Sequence, residues 1–130
     1  MNVSNLTEVE VAFATIARTD VKGLLIINDL TFFGQSGQLA ALAARTGIPA
    51  IFADRIFAEA GGLMSYGTNQ TEAYRQVGIY AGRILNGAKP ADLPVVQSSK
   101  FELVINHQTA RMLGLTVPPT LLAIADEVIE

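Results

Sequence analysis

The 130-residue sequence has no cysteine, a single histidine and no run of positive charge. The missing cysteine excludes disulfides, thiolate catalysis and cysteine-ligated zinc. It leaves the compartment open, because many secreted bacterial proteins also lack cysteine. His107 alone cannot build a metal site, and no Asp or Glu stands four residues on to join it. Nine Lys and Arg are scattered against twelve Asp and Glu, a net charge of −3. Such a chain offers nucleic acid no counterion-release footprint and an anionic membrane little attraction. No apolar run approaches the ~20 residues of a membrane span. The N-terminus, Met-Asn-Val-Ser-Asn-Leu-Thr-Glu, lacks the basic and apolar regions of a signal peptide. As written, the chain is therefore expected to be untargeted and cytoplasmic.

What is present is a core. Half the residues are apolar and 16% are charged, the balance of one globular domain over 1–130 that buries about two thirds of its unfolded surface. Short apolar runs alternate with helical periodicity along the chain. Val9, Phe13, Ile16 and Ala17 recur at helical spacing within 7–19, and Thr7 with Glu10 has the spacing of a capping box. Gly23-Leu24-Leu25-Ile26-Ile27 reads as a strand buried on both faces, and Asn28 to Gly34 as a loop. A helix over 35–45 stops at Thr46-Gly47, and Pro49 to Ala53 is a second strand with proline where it is tolerated. Residues 54–60 connect, with room for one helical turn, to a short strand Leu63-Met64-Ser65-Tyr66.

Residues 70–85 form the clearest helix. Ala73, Val77, Tyr80, Ala81, Ile84 and Leu85 make one apolar stripe, Asn69 with Glu72 caps its start, and Asn86-Gly87 ends it. A proline-containing surface connection over 88–94 leads to a last strand, Phe101 to Ile105. Asn106 then caps a short helix stopped by Gly114, and Pro118-Pro119 opens a final helix. This alternation predicts an α/β fold with a mostly parallel sheet, helices on both faces and right-handed crossovers. Sheet order is not readable. Ligands of such sheets bind beyond the carboxyl ends of the strands, here residues 28–33, 54–57 and 65–69.

No catalytic constellation accompanies these strand ends. Gly62-x4-Gly67-Thr68 echoes a phosphate loop without the lysine that must reach the phosphates, and the plainer reading is that Gly61 and Gly62 ease the chain into a crowded strand while Gly67 permits a tight turn. Gly34-Gln35-Ser36-Gly37 is not a nucleophile elbow, since the second glycine comes one residue early. Nothing in the sequence brings Ser36 or Ser65 to His107. The expectation is a non-enzymatic protein without metal or cofactor. Phe32, Phe33 and Tyr66 at the strand ends suit an apolar or aromatic ligand, with the Tyr hydroxyl as a polar handle. The competing reading folds at least one of Phe32 and Phe33 into the core. Asp29 and Asp54 suit a ligand ammonium or hydroxyl, or else plain helix capping.

Several long motifs carry a resemblance. Gly61-Gly62-Leu63-Met64-Ser65-Tyr66-Gly67, Tyr74-Arg75-Gln76-Val77-Gly78-Ile79-Tyr80-Ala81-Gly82-Arg83-Ile84-Leu85 and Gly87-x-Lys89-Pro90-Ala91-Asp92-Leu93-Pro94 come in order. Lys100 to Asn106 and the ending Ala125-Asp126-Glu127-Val128-Ile129 follow. Together they resemble the C-terminal part of ABC-transporter substrate-binding proteins of the type I periplasmic class. The resemblance implies a three-layer αβα lobe, the second of two lobes joined by hinge crossings. Its implied role is to hold a small solute, such as an amino acid or aromatic compound, for an ABC permease. The implied ligand-facing loops are 28–33, Asp54-Arg55 and 65–68, giving Asn28, Asp29, Phe32, Phe33, Asp54, Ser65, Tyr66 and Thr68 as binding residues. The same resemblance makes Thr68-Asn69 a hinge crossing and assigns helix 70–85 to the other lobe. Its apolar stripe would then seek a partner, and a homodimer through residues 70–87, paired or swapped, is expected. A full-length form would be periplasmic or lipoprotein-anchored. Alternatives from other classes are a small doubly wound enzyme and a stand-alone regulatory ligand-binding module.

Overall fold

Among the described residues, five short strands form one sheet in chain order: β1 (Leu24–Ile26), β2 (Ala50–Phe52), β3 (Met64–Thr68), β4 (Phe101–Asn106) and β5 (Glu127–Ile129). The computed structural model describes residues 6–27, 29–97 and 100–130. β1, β2 and β3 are parallel, β4 runs antiparallel to β3, and β5 is parallel to β4. The helices are α1 (Leu6–Ile16), α2 (Leu30–Phe33), α3 (Ser36–Thr46), α4 (Arg55–Glu59), α5 (Gln70–Leu85), α6 (His107–Met112) and α7 (Pro119–Ile124). This is the mostly parallel α/β sheet with flanking helices that the alternating pattern predicts.

The core lies on one face of β1 and β2. Val9 and Phe13 of α1, Phe32 of α2, and Leu39 and Ala43 of α3 close over Ala50, Phe52 and Phe57. The Phe52 and Phe57 rings stack at 5.1 Å and 6°, and neither is accessible to solvent. Burying each ring contributes up to about 3 kcal/mol, so this pair anchors α4 to the sheet.

The caps sit where the side-chain chemistry puts them. Asn69 Oδ1 accepts from Glu72 N at 2.9 Å, and Asn106 Oδ1 accepts from Thr109 N at 2.9 Å. Each satisfies an orphan donor of a first helical turn. Gly47 closes α3 in the left-handed region at φ 69°.

Five local expectations are corrected. Thr7 lies inside α1 and is not its cap. β1 is an edge strand with only one covered face, so Leu25 and Ile27 are 68% and 73% exposed. The loop after β1 contains α2, because Phe32 is drawn into the core. Gly67 is a strand residue and not a turn: a Cβ there would meet the Ala53 carbonyl oxygen at 1.9 Å. β5 had no signal in its three residues. It is held by Asp126, whose Oδ2 accepts from Leu103 N at 2.8 Å while its own N–H donates to Leu103 O at 2.9 Å.

Candidate ligand-binding site

Alternation along a strand sends successive side chains to opposite faces, and the register sorts the predicted residues. Phe52, Ser65 and Val104 are paired across β2, β3 and β4 and share the core face. Tyr66, paired with Leu103, takes the other face. Ser65 and Tyr66, adjacent in sequence, are thus separated by the sheet.

On the core face near the carboxyl ends stand Phe33, Asp54 and Ser65. Phe33 is half-buried with its ring 6.2 Å from that of Phe57. Asp54 is buried and caps α4, its Oδ1 accepting from Ile56 N at 3.1 Å. Asp54 Oδ2 and Ser65 Oγ are both buried with no hydrogen-bond partner. Leaving such an atom unsatisfied costs about 1–3 kcal/mol. Phe32 takes the core position of the two weighed for it, 7% exposed. Asp29 is exposed at the entry to α2, where its carbonyl accepts from Phe32 N at 3.0 Å. Asn28 lies outside the described residues.

On the opposite face Tyr66 is 55% exposed and stacks on Phe101 at 5.9 Å and 20°. Thr68 is half-buried and ends β3. The structure therefore places two buried, unpartnered oxygens, of Asp54 and Ser65, on the core face and an exposed aromatic pair behind the sheet. It does not bring all eight predicted residues to one mouth.

Past Thr68 the chain leaves the sheet. Thr68 pairs with Phe101, and Asn69 N donates to Lys100 O at 3.1 Å, so exit and return lie side by side. Between them α5 has no buried residue, and Val77 and Leu85 of its stripe are 64% and 87% exposed. A cleft of about 390 Å³ lies on this excursion, lined by Glu72, Gln76, Val77, Tyr80, Val96 and Lys100 among others.

The two crossings are fixed by an ionic cluster that sequence reading did not find. Arg55 reaches three carboxylates: Nε to Glu59 at 2.7 Å, Nη1 to Glu102 at 3.1 Å and Nη2 to Glu127 at 2.6 Å. Glu59 and then Glu127 hold its guanidinium above the ordinary arginine range, with Glu102 adding to the effect and partial burial opposing it. Glu102 Oε2 also accepts from Asn69 Nδ2 at 3.0 Å. Only the i,i+4 pair of Arg55 and Glu59 was legible in sequence. Glu102 and Glu127 are 47 and 72 residues away. Arg55, expected on a ligand-facing loop, is thus engaged within the protein. Among the described residues no group of three His, Asp or Glu could hold a metal ion, and no helix is long and apolar enough to cross a membrane.

The mostly parallel α/β sheet thus carries α5 between two adjacent crossings. The sequence profile of the ABC transporter substrate binding protein family matches residues 1–129, and the chain belongs to that family. No curated protein matches it. The fold is similar to an ABC domain from Streptococcus pneumonia solved in complex with L-Trp, with 27% identity and a TM-score of 0.88 over 99% of this chain and 43% of that one. A conserved domain protein from Vibrio cholerae is 27% identical with a TM-score of 0.83, covering 94% of this chain and 41% of that one. A substrate binding protein with adhesive properties from Clostridium difficile shares the fold, with 22% identity and a TM-score of 0.68 over 99% of this chain and 43% of its own. The chain thus spans about two fifths of the length of these relatives.

Proposed function

We propose that this chain is the C-terminal, ligand-facing portion of the substrate-binding component of an ABC importer. It captures a small solute non-covalently, and closure of two lobes about the hinge signals to a permease. The observation that carries the reading is the pair of adjacent crossings at Thr68-Asn69 and Lys100-Phe101. They isolate α5, which has no buried residue of its own. A helix with one apolar stripe, met by the return segment at Tyr80 and Val96 yet with no residue buried, belongs on a second body of protein.

An amino acid or small aromatic compound is the solute class best supported. The L-Trp complex of a 27% identical protein favours it. Asp54 Oδ2, buried without a donor, suits a ligand ammonium, reached directly or through water. The protein then acts in the periplasm or as a lipoprotein outside the membrane. The reading frame upstream of Met1 tests this: it should continue into a first α/β lobe and an export signal. A ribosome-binding site immediately before Met1 would instead favour a stand-alone regulatory module.

A further inference from the structure

We infer that Arg55, Glu102 and Asn69 form a relay that sets the direction in which α5 leaves the sheet, making them positioning residues for the hinge. Arg55 is the first residue of α4, directly after Asp54 at the end of β2. Its Nη1 donates to Glu102 at the start of β4, and the same Oε2 of Glu102 accepts from Asn69 Nδ2 at 3.0 Å. Asn69 spends its other side-chain atom, Oδ1, on Glu72 N in the first turn of α5. One amide therefore joins the sheet to the helix axis, with a carboxylate on one end and a helical N–H on the other. Charge-assisted hydrogen bonds are shorter and stronger than neutral ones, and Glu102 is largely buried, so solvent competes weakly for it.

Local backbone pairing alone does not fix the helix. Beyond the Asn69 N to Lys100 O bond, the polypeptide turns from extended backbone at Asn69 (φ −67°, ψ 105°) straight into α5. α5 has no buried residue, and Tyr80 Oη donates at 2.6 Å to Pro94 O of the return segment, itself part of the excursion, so the corner at Asn69 is what ties the helix to the sheet. The relay also links the loop bearing Asp54 to the hinge, so a displacement of α4 would be passed to α5. The link to solute binding rests on the function proposed above, but the relay itself is testable without any solute.

The absence of cysteine allows two labels to be placed uniquely. Tyr74→Cys on α5 and Met112→Cys on α6, at residues 73% and 69% exposed, carry spin labels for a pulsed distance measurement on the solute-free chain. Diluted with excess unlabelled chain, so that only distances within one chain are read even where chains pair, the parent should give one narrow distribution. Asn69→Ser keeps an oxygen to cap α5 but removes the donor to Glu102. It should broaden the distribution at least twofold while helix content by circular dichroism stays at the parent value, and Arg55→Ala should broaden it in the same way. A parent-like distribution in Asn69→Ser overturns the relay, whether or not Arg55→Ala folds. So does broadening that comes only with loss of α5 helix, which cap damage alone would produce. If the relay holds yet no solute binds, the failure lies with the proposed function and not with the hinge.

Discussion

At the scale of single residues, two positions separate what chemistry made legible from what only three dimensions reveal. Asn69 and Asn106 were readable as caps because their short amides serve an N–H close by in sequence. Gly67 was recognisable as needing glycine, but for the wrong reason. It is the Ala53 carbonyl across the β2–β3 divergence, and not a turn, that leaves no room for a Cβ. Gly67→Ala must push backbone against backbone, and overpacking of this kind should cost about 3 kcal/mol. Chemical denaturation checks this, and a loss under ~1 kcal/mol would mean the strands relax freely there. Tyr66, half-exposed and stacked on Phe101, makes the opposite case. Tyr66→Ala should cost less than about 1.5 kcal/mol, the value of one aromatic contact. If Tyr66 faces solute, the same change weakens binding in the two-lobed form. A larger stability loss with unchanged affinity would assign it to packing.

At the scale of elements, helices were more legible than the sheet. The stripe and cap of α5 reproduce its bounds, Gln70–Leu85, because 3.6-residue periodicity is a local signal. β5 was invisible, since three residues carry no period and its partner β4 lies more than twenty positions upstream. β1 looked doubly buried because its residues are uniformly apolar, yet only the side of Leu24 and Ile26 is packed against helices and the side of Leu25 and Ile27 is left bare. The stability of α5, with no buried residue, depends on local electrostatics. Arg75 first, and Gln76 second, hold the Glu72 carboxyl down at about 2 from its ordinary 4.5. A depressed folded-state pKa gives stabilisation that is fully present above 4.5 and lost as pH falls through about 2. Helix content assigned to α5 should therefore decline over that acid window, and earlier at high salt, because the pair is solvent-exposed. Glu72→Gln should flatten the decline. An identical acid profile in that variant would remove the pair from the account.

At the scale of the whole molecule, the decisive feature is what the chain leaves uncovered. The fold class was legible from alternation alone. Strand order, the antiparallel β4 and the clamp around Arg55 were not, because each depends on pairing between segments far apart in sequence. The α5 stripe exposes Val77, Ile84 and Leu85 together. Apolar stripes exposed side by side in this way often mark protein–protein contact surfaces. Expressed as these 130 residues, the chain should pair through residues 70–87, and Val77→Lys with Leu85→Lys should return it to a monomer by light scattering. A parent that is monomeric at micromolar concentration would contradict this.

The central claim is solute capture, and one measurement reaches it most directly. A thermal-shift series over amino acids and small aromatic solutes, on the protein expressed from its whole reading frame, reads binding through stabilisation of the native state. A ligand at one hundred times its Kd adds about 2.7 kcal/mol. A saturable rise in melting temperature is expected with a narrow set of these solutes, L-tryptophan included in the panel, and Asp54→Ala should diminish it. No rise with any small solute at millimolar concentration, in a protein that folds and melts cooperatively, would contradict it.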